Sequence, residues 1–266
     1  MKLAILGGGV MGEVFARSVT QKLFAPHEVC VLDRNADKLA RLASETGVCV
    51  AQHMDDILAA PVVLLSIKPD NVAEVLAPFT AAGKSPLLIS IVAGVSLDGL
   101  ARTLPENTPI IRVMTNTPSL IGEGMSALAS NAHVTPEQQA QAEAIFSAVG
   151  QILVVPEKYM DAVTGLSGSG PGFFFIVVDA MIEAGVLQGL PRAMSRQLVL
   201  QTMKGSALLL QESNRHPAEL RDMVTSPGGT TIAGIQVMEE YKLRATLLKT
   251  VETATRRSQA LGARLN

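Results

Sequence analysis

Over the first part of the chain, short apolar runs alternate with helical patterns. LAIL (3–6) precedes Met11, Val14, Phe15, Ser18 and Val19, which share the i, i+3, i+4, i+7, i+8 spacing of one helix face. EVCVL (28–32) then leads into the polar, helix-forming NADKLARLASE, and VVLLSI (62–67) and PLLISIVAG (86–94) follow with helical sequence between them. These runs are continuously apolar and lack a period of two, as strands do when helices cover both faces of a parallel sheet. The alternation predicts a doubly wound α/β domain over residues 1–156, with IIRVM (110–114) and ILVV (152–155) as its last strands. Past Pro156 the pattern changes to long helical stretches, punctuated by GSGPG (168–172), GLP (189–191), RHP (215–217) and SPGG (226–229). Residues 157–266 are therefore predicted to be an all-helical domain. Its wide apolar faces, along 192–211 and 242–261, call for packing on further helices, including those of a second subunit.

Composition narrows the classes open to this chain. The formal net charge is −2 and Lys and Arg are dispersed, so no basic patch marks a nucleic-acid or anionic-membrane partner. The most apolar run, 172–178, is far shorter than the roughly 20 residues of a membrane span, so a soluble protein is expected. Cys30 and Cys49 sit in short apolar stretches, which suits buried structural thiols and a reducing cytoplasm. His27, His53, His133 and His216 are scattered, no residue cluster has metal-ligand spacing, and no metal is expected. A surface or capping role is expected for each, and His216, before Pro217, opens the helix that leads into 225–240, with its role left open.

Gly7, Gly9 and Gly12 form GxGxxG directly after the first strand and at the start of the first helix, with Val10 and Met11 inside the motif. The first glycine permits a tight turn, the second a close approach by a pyrophosphate, and the third close packing of helix on strand. The phosphates would meet the free amides and positive dipole end of that helix. The second strand ends in Asp33, about 20 residues on, where an acidic residue takes the adenosine ribose hydroxyls. Together these features identify a Rossmann dinucleotide site for NADH or NADPH. Asp33 disfavours a 2′-phosphate, Arg34 favours it, and Asn35 serves either, so the preference stays open at this level. Ligands bind at the carboxyl ends of the strands, which adds Ile67, Lys68 and Pro69, Ala93 and Gly94, and Asn116 to the expected cofactor crevice.

A second candidate site lies in TSPGGTTIAGIQVMEE (225–240). Pro227, Gly228 and Gly229 form a turn, Gly229 or Thr230 caps the helix, and the first amides of that helix suit a carboxylate or phosphate. Read alone, the segment favours an ordinary capped helix over an anion site.

SPGGTT (226–231), VTGLSGSGP (163–171), RVMTNTP (112–118), IKP (67–69) and GGGVMG (7–12) together resemble pyrroline-5-carboxylate reductases, in the family's order and spacing over essentially the whole chain. Two departures stand out: Gly172 where alanine is usual, and Asp33 where many members carry a small or amide residue. The resemblance implies hydride transfer from NAD(P)H to the C=N bond of Δ1-pyrroline-5-carboxylate, giving L-proline. It implies a helical domain that interlocks with a second copy into a homodimer or a multiple of dimers. It also implies a substrate site on Ser226, Gly228, Gly229, Thr230 and Thr231, with Thr231 bonded to the ring nitrogen as the catalytic residue, and SGSGP at a break in the first long helix. A β-hydroxyacid dehydrogenase or other imine reductase shares the plan, but the former needs a lysine on that helix, and 157–190 holds only Lys158 at its start. A non-catalytic NAD(P)-sensing protein would have no use for the 226–231 loop.

Overall fold

Residues 3–154 build one eight-stranded sheet in a computed structural model that describes residues 1–265. In chain order the elements are β1 (Leu3–Leu6), α1 (Val10–Lys22), β2 (Val29–Leu32), α2 (Ala36–Thr46), β3 (Cys49–Val50), β4 (Val62–Leu65) and α3 (Val72–Ala81). They continue with β5 (Leu87–Ser90), α4 (Leu97–Ala101), β6 (Ile110–Met114), β7 (Gly124–Ser130), α5 (Pro136–Ser147) and β8 (Gly150–Val154). The strand order is β3-β2-β1-β4-β5-β6-β7-β8. β1 pairs in parallel with both β2 (Leu3↔Val29) and β4 (Leu3↔Val62). The chain thus leaves β1 to one side and later crosses to the other, opening a crevice at the carboxyl ends of β1 and β4.

Successive residues of β1 face opposite sides of the sheet. Leu3 and Ile5 join Phe15, Val19, Leu39, Leu42, Ile145 and Phe146, while Ala4 and Leu6 join Leu76, Phe79, Leu97 and Leu100. Two apolar layers therefore sandwich the sheet, with α1, α2 and α5 on one face and α3 and α4 on the other. The Phe15 and Phe146 rings meet edge to face at 4.7 Å, knitting α1 to α5.

Two strands escape the sequence pattern. β7 reads GMSALAS, without a β-branched or aromatic residue, yet pairs antiparallel with β6 (Ile111↔Ser130) and parallel with β8. Its place is set by neighbours on both sides rather than by propensity. β3 is two residues long on the sheet edge, with Cys49 paired to Cys30. Cys30 is buried, and burial pushes its thiol pKa up. Cys49, expected to be buried, is exposed because β3 has no neighbour beyond it.

Past β8 the chain turns helical with α6 (Met160–Val163), a π-helical turn (Thr164–Gly168), α7 (Gly170–Leu187), α8 (Arg192–Ser213), α9 (Pro217–Met223), α10 (Thr230–Glu240) and α11 (Leu243–Leu265). The break expected at SGSGP is this π-helical turn leading directly into α7. The chain divides into two compact units, Met1–Ser169 with the chain from Thr253 onward, and Gly170–Glu252. Residues 157–169 pack with the sheet unit, where Met160 is buried with Ala127 and Ala129 and Asp161 accepts a 2.6 Å hydrogen bond from Ser258. Glu157 adds to this anchoring, accepting from the largely buried Arg112 of β6 at 3.0 Å and from the Leu97 amide at 2.8 Å. Within the second unit α7 and α8 form a tight hairpin. Ser195 donates to the Ile182 carbonyl at 2.9 Å, and the absent side chain of Gly185 leaves room for its hydroxyl.

The sheet unit depends on one close approach, since a Cβ on Gly12 would overlap the Gly7 carbonyl oxygen. Gly12→Ala should force α1 off β1 and cost about 1–3 kcal/mol. Thermal unfolding should show this as a lower melting temperature, by about 2–4 °C per kcal/mol. An unchanged melting temperature would show that the helix absorbs the methyl without moving.

Candidate functional site

The crevice starts where β1 ends. Gly7 adopts φ +105°, a left-handed conformation that side chains disfavour, and a Cβ there would strike the Ser66 carbonyl at the end of β4. Ile67 abuts the same glycine, its Cγ2 3.1 Å from where that Cβ would stand. Gly9 caps α1 without a side-chain hydrogen bond, and nothing lies within 4 Å of its missing Cβ. Its carbonyl accepts from the Glu13 amide at 2.9 Å, so the amides before Glu13 have no partner within the helix. Open space above Gly9 and free amides at the positive end of a 13-residue helix make a cradle that fits a pyrophosphate.

Asp33 follows β2 directly, and its carboxylate is held by the backbone. Oδ2 accepts from the Gly8 amide at 2.6 Å and Oδ1 from the Asn35 amide at 2.8 Å. Asn35 also caps α2, its side chain accepting from the Lys38 amide at 3.0 Å. Arg34 is exposed beside them. Gly8 escaped the sequence reading because it occupies a free position of GxGxxG. Its signal is steric, with a Cβ there only 3.2 Å from that of Asp33.

The remaining crevice residues follow the ends of the next three strands. Ile67, exposed Lys68 and Pro69 follow β4, with Lys68 at the start of a short 3-10 turn. Exposed Ala93 and buried Gly94, at φ +82°, follow β5. Asn116 follows β6, but its amide is engaged within the protein, accepting from the Met125 amide at 2.9 Å and donating to the Ser167 carbonyl at 3.2 Å. The fold thus brings Gly7, Ile67, Ala93 and Asn116 to the carboxyl ends of four adjacent strands.

Ser226 to Thr231 belong to the other compact unit. Gly228 takes φ +66°, and the Gly229 amide closes the turn on the Ser226 carbonyl at 3.0 Å. Gly229 then caps α10, again without a side-chain hydrogen bond, and the first backbone bond of the helix is Ala233 to Gly229 at 3.3 Å. Among the described residues, the Thr230 and Thr231 hydroxyls make no hydrogen bond. Elsewhere Thr20, Thr225 and Thr250 satisfy theirs on the carbonyl four residues back, a partner that the first turn of a helix lacks. His216 caps α9, its Nδ1 accepting from the Ala218 amide at 3.2 Å. Among the described residues, no group of three His, Cys, Asp or Glu side chains is placed to hold a metal ion.

Comparison with known proteins agrees with this architecture. Residues 157–261 match the family model "pyrroline-5-carboxylate reductase dimerisation", and residues 2–94 match "NADP oxidoreductase coenzyme F420-dependent". A pyrroline-5-carboxylate reductase of Synechocystis sp. is 45% identical over 264 residues, covering 98% of each chain. The structure of the Coxiella burnetii reductase superposes with a TM-score of 0.92 at 32% identity, and that of Plasmodium falciparum, solved with NADP bound, with 0.89 at 30%. Each of these alignments covers 98% of both chains. By full-length similarity in sequence and in structure, this chain belongs to the pyrroline-5-carboxylate reductase family.

Proposed function

We propose that the chain reduces the C=N bond of Δ1-pyrroline-5-carboxylate to give L-proline, using NADPH or NADH, in the last step of proline biosynthesis. Family membership supports the reaction. The start of α10 carries the reading onto particular residues, because a glycine cap leaves both the first amides and two threonine hydroxyls available to a ligand. When bound, the reduced nicotinamide supplies the hydride. Gly7, Gly9, Val10, Met11 and Gly12 hold the pyrophosphate on backbone amides, Asp33 and Asn35 face the adenosine ribose, and Arg34 lies against the adenine. Ile67, Lys68, Pro69, Ala93 and Gly94 line the rest of the dinucleotide crevice.

Ser226, Gly228, Gly229 and Thr230 hold the substrate carboxylate at the positive end of α10. Thr231 is the catalytic residue. In a five-membered ring the nitrogen lies close to the carboxylate, so a hydroxyl one residue along the same turn reaches it. As the imine becomes an amine its nitrogen turns more basic, and a bond that strengthens along the reaction lowers the barrier more than it tightens substrate binding. A protonated imine accepts hydride readily, which places the burden on positioning rather than on a strong acid or base.

The second unit supports assembly into a homodimer or a multiple of dimers. α10 buries none of its residues among the described ones, and Phe174, Phe175 and Ile176 of α7 are 62–71% exposed. Covering each such side chain contributes about 1.5–3 kcal/mol. The helical stretch Glu157–Leu187, within which an 18-residue window has a mean hydropathy of 1.6, is long and apolar enough to cross a membrane by length and composition. The expectation from the short run 172–178 missed this, because apolar residues resume after Asp179 and continue to Leu187. Its place in the dimerisation segment assigns that face to a second copy of the chain. Two unpaired cysteines suit a soluble enzyme of the cytoplasm.

Oxidation of NAD(P)H on addition of pyrroline-5-carboxylate tests the reaction, and the absence of any turnover would refute it. Thr231→Val should lower kcat roughly 10- to 100-fold, about 1.4–2.8 kcal/mol, with little change in NAD(P)H affinity. A mutant that loses melting temperature but keeps turnover would reduce Thr231 to a structural role. Asp33→Ser should move the kcat/KM ratio toward NADPH by roughly 1–2 kcal/mol, and an unchanged ratio would place the ribose elsewhere. Sedimentation should give a dimer or its multiples, and Ile176→Arg should shift it toward monomer with loss of turnover.

A further inference from the structure

The side chain of Asn116 joins three elements of the sheet unit. It stands just past β6, at the start of the 3-10 turn Thr117–Ile121. Its Oδ1 accepts from the Met125 amide of β7 at 2.9 Å, and its Nδ2 donates to the Ser167 carbonyl at 3.2 Å, with the Ser167 hydroxyl at 3.4 Å. Ser167 lies inside the π-helical turn Thr164–Gly168, closed by the Ser169 amide on the Thr164 carbonyl at 2.9 Å. A π-turn widens the helix and departs from the regular hydrogen-bond ladder, and such turns occur frequently at functional sites.

The turn is also pressed from two sides. A Cβ on Gly165 would come within 2.8 Å of the Thr255 amide nitrogen of α11, and one on Gly168 within 3.0 Å of Met114 Sδ, at the end of β6. The scaffold around Asn116 is equally tight. Buried Ser126 donates to Thr115 Oγ1 at 2.9 Å, Thr115 lies 3.0 Å from buried Ser119, and a Cβ on Gly124 would overlap Ser119. The Met114 side chain sets how closely the turn approaches β6, and the Asn116 amide sets where it stops.

We propose that Asn116 is a positioning residue that bonds the Ser167 turn to the carboxyl ends of β6 and β7, rather than a side chain that holds the dinucleotide. Both faces of its amide are engaged by the protein, with an acceptor meeting an N–H and a donor meeting a carbonyl. The orientation is thereby fixed, and both Met125 and Ser167 would have to be released before the amide could turn toward a ligand. The turn it holds, TGLSG, leads directly into α7. A shift of about 1 Å at a reacting centre can cost as much as 100-fold in rate. The inference rests on the reductase reading for its kinetic consequence only.

Asn116→Asp tests it with almost no change of shape. The ionised carboxylate still accepts from Met125 but faces the Ser167 carbonyl with a second acceptor, whereas the protonated acid donates to that carbonyl. The neutral form is the one that bonds, so the introduced acid should titrate above the usual carboxylate range. The kcat of the variant relative to wild type should be about 10-fold or more lower at neutral pH and recover as the pH falls, on the same positional argument. Asn116→Ala should give a similar loss with no recovery at low pH. Two readouts do not depend on turnover. The Kd for NAD(P)H, from nicotinamide fluorescence, should stay within about 2-fold of wild type, under 0.5 kcal/mol. Amide hydrogen exchange across 164–169 should speed up at neutral pH in both variants.

A ratio to wild type that stays flat with pH, or unchanged exchange across the turn, would overturn the proposal. A Kd raised about 10-fold, 1.4 kcal/mol, with exchange unchanged would instead make Asn116 a cofactor ligand. If Asn116→Asp does not accumulate, Asn116→Ala decides by exchange and Kd alone. If wild type turns over no pyrroline-5-carboxylate, the reductase reading fails while these two measurements still judge the role of Asn116.

Discussion

The approach of the α1 backbone to the end of β1 is the contact on which the nucleotide half of this protein depends. A Cβ on Gly12 would overlap the Gly7 carbonyl, and one on Gly7 would overlap the Ser66 carbonyl. Two missing side chains therefore let a helix start, the end of β1 and the end of β4 share one small volume. The free amides of α1 then open directly over the topological switch point of the sheet. The two apolar layers, one through Phe15 and Phe146 and one through Leu76 and Phe79, hold this arrangement by burial on both faces. Asp33 ties in the third strand end through the Gly8 amide, so its carboxylate also braces the glycine turn.

Polar side chains on the far side of the sheet anchor the chain as it leaves the nucleotide domain. Arg112 is largely buried, and its guanidinium meets Glu157, which also accepts from the Leu97 amide. An uncompensated charge in that position would be costly, so the pair constrains where residue 157 lies relative to β6 and to the segment after β5. Asp161 with Ser258 and Gly165 against Thr255 continue the same constraint onto α11. The residues just after the last strand thus follow the sheet rather than the helical unit, although the family model that begins at 157 groups them with dimerisation.

The helical unit follows a different physical logic. Its internal contacts include the α7–α8 hairpin with Ser195 against Gly185, but Phe174, Phe175 and Ile176 remain open to solvent within one chain. Apolar surface of this extent in a reductase of this family calls for a second copy, so the energetics of the unit belong to the oligomer more than to the protomer.

The sequence by itself determined the doubly wound first domain, the helical second one, the dinucleotide motif and the family. These are written in local terms: continuous apolar runs, helical spacing, three glycines at fixed offsets, and SPGGTT ahead of a helix. Other features were decided only by tertiary structure. GMSALAS is a strand because β6 and β8 flank it, and Cys49 is exposed because nothing pairs beyond β3. Asn116 lay in a motif that pointed to the crevice, yet its bonds run to Met125 and Ser167, nine and 51 residues away in the chain. Short-range pattern records what a segment prefers in isolation. Which neighbour satisfies a given amide, and which strand shields a given thiol, follows from chain segments that meet only after the sheet has formed.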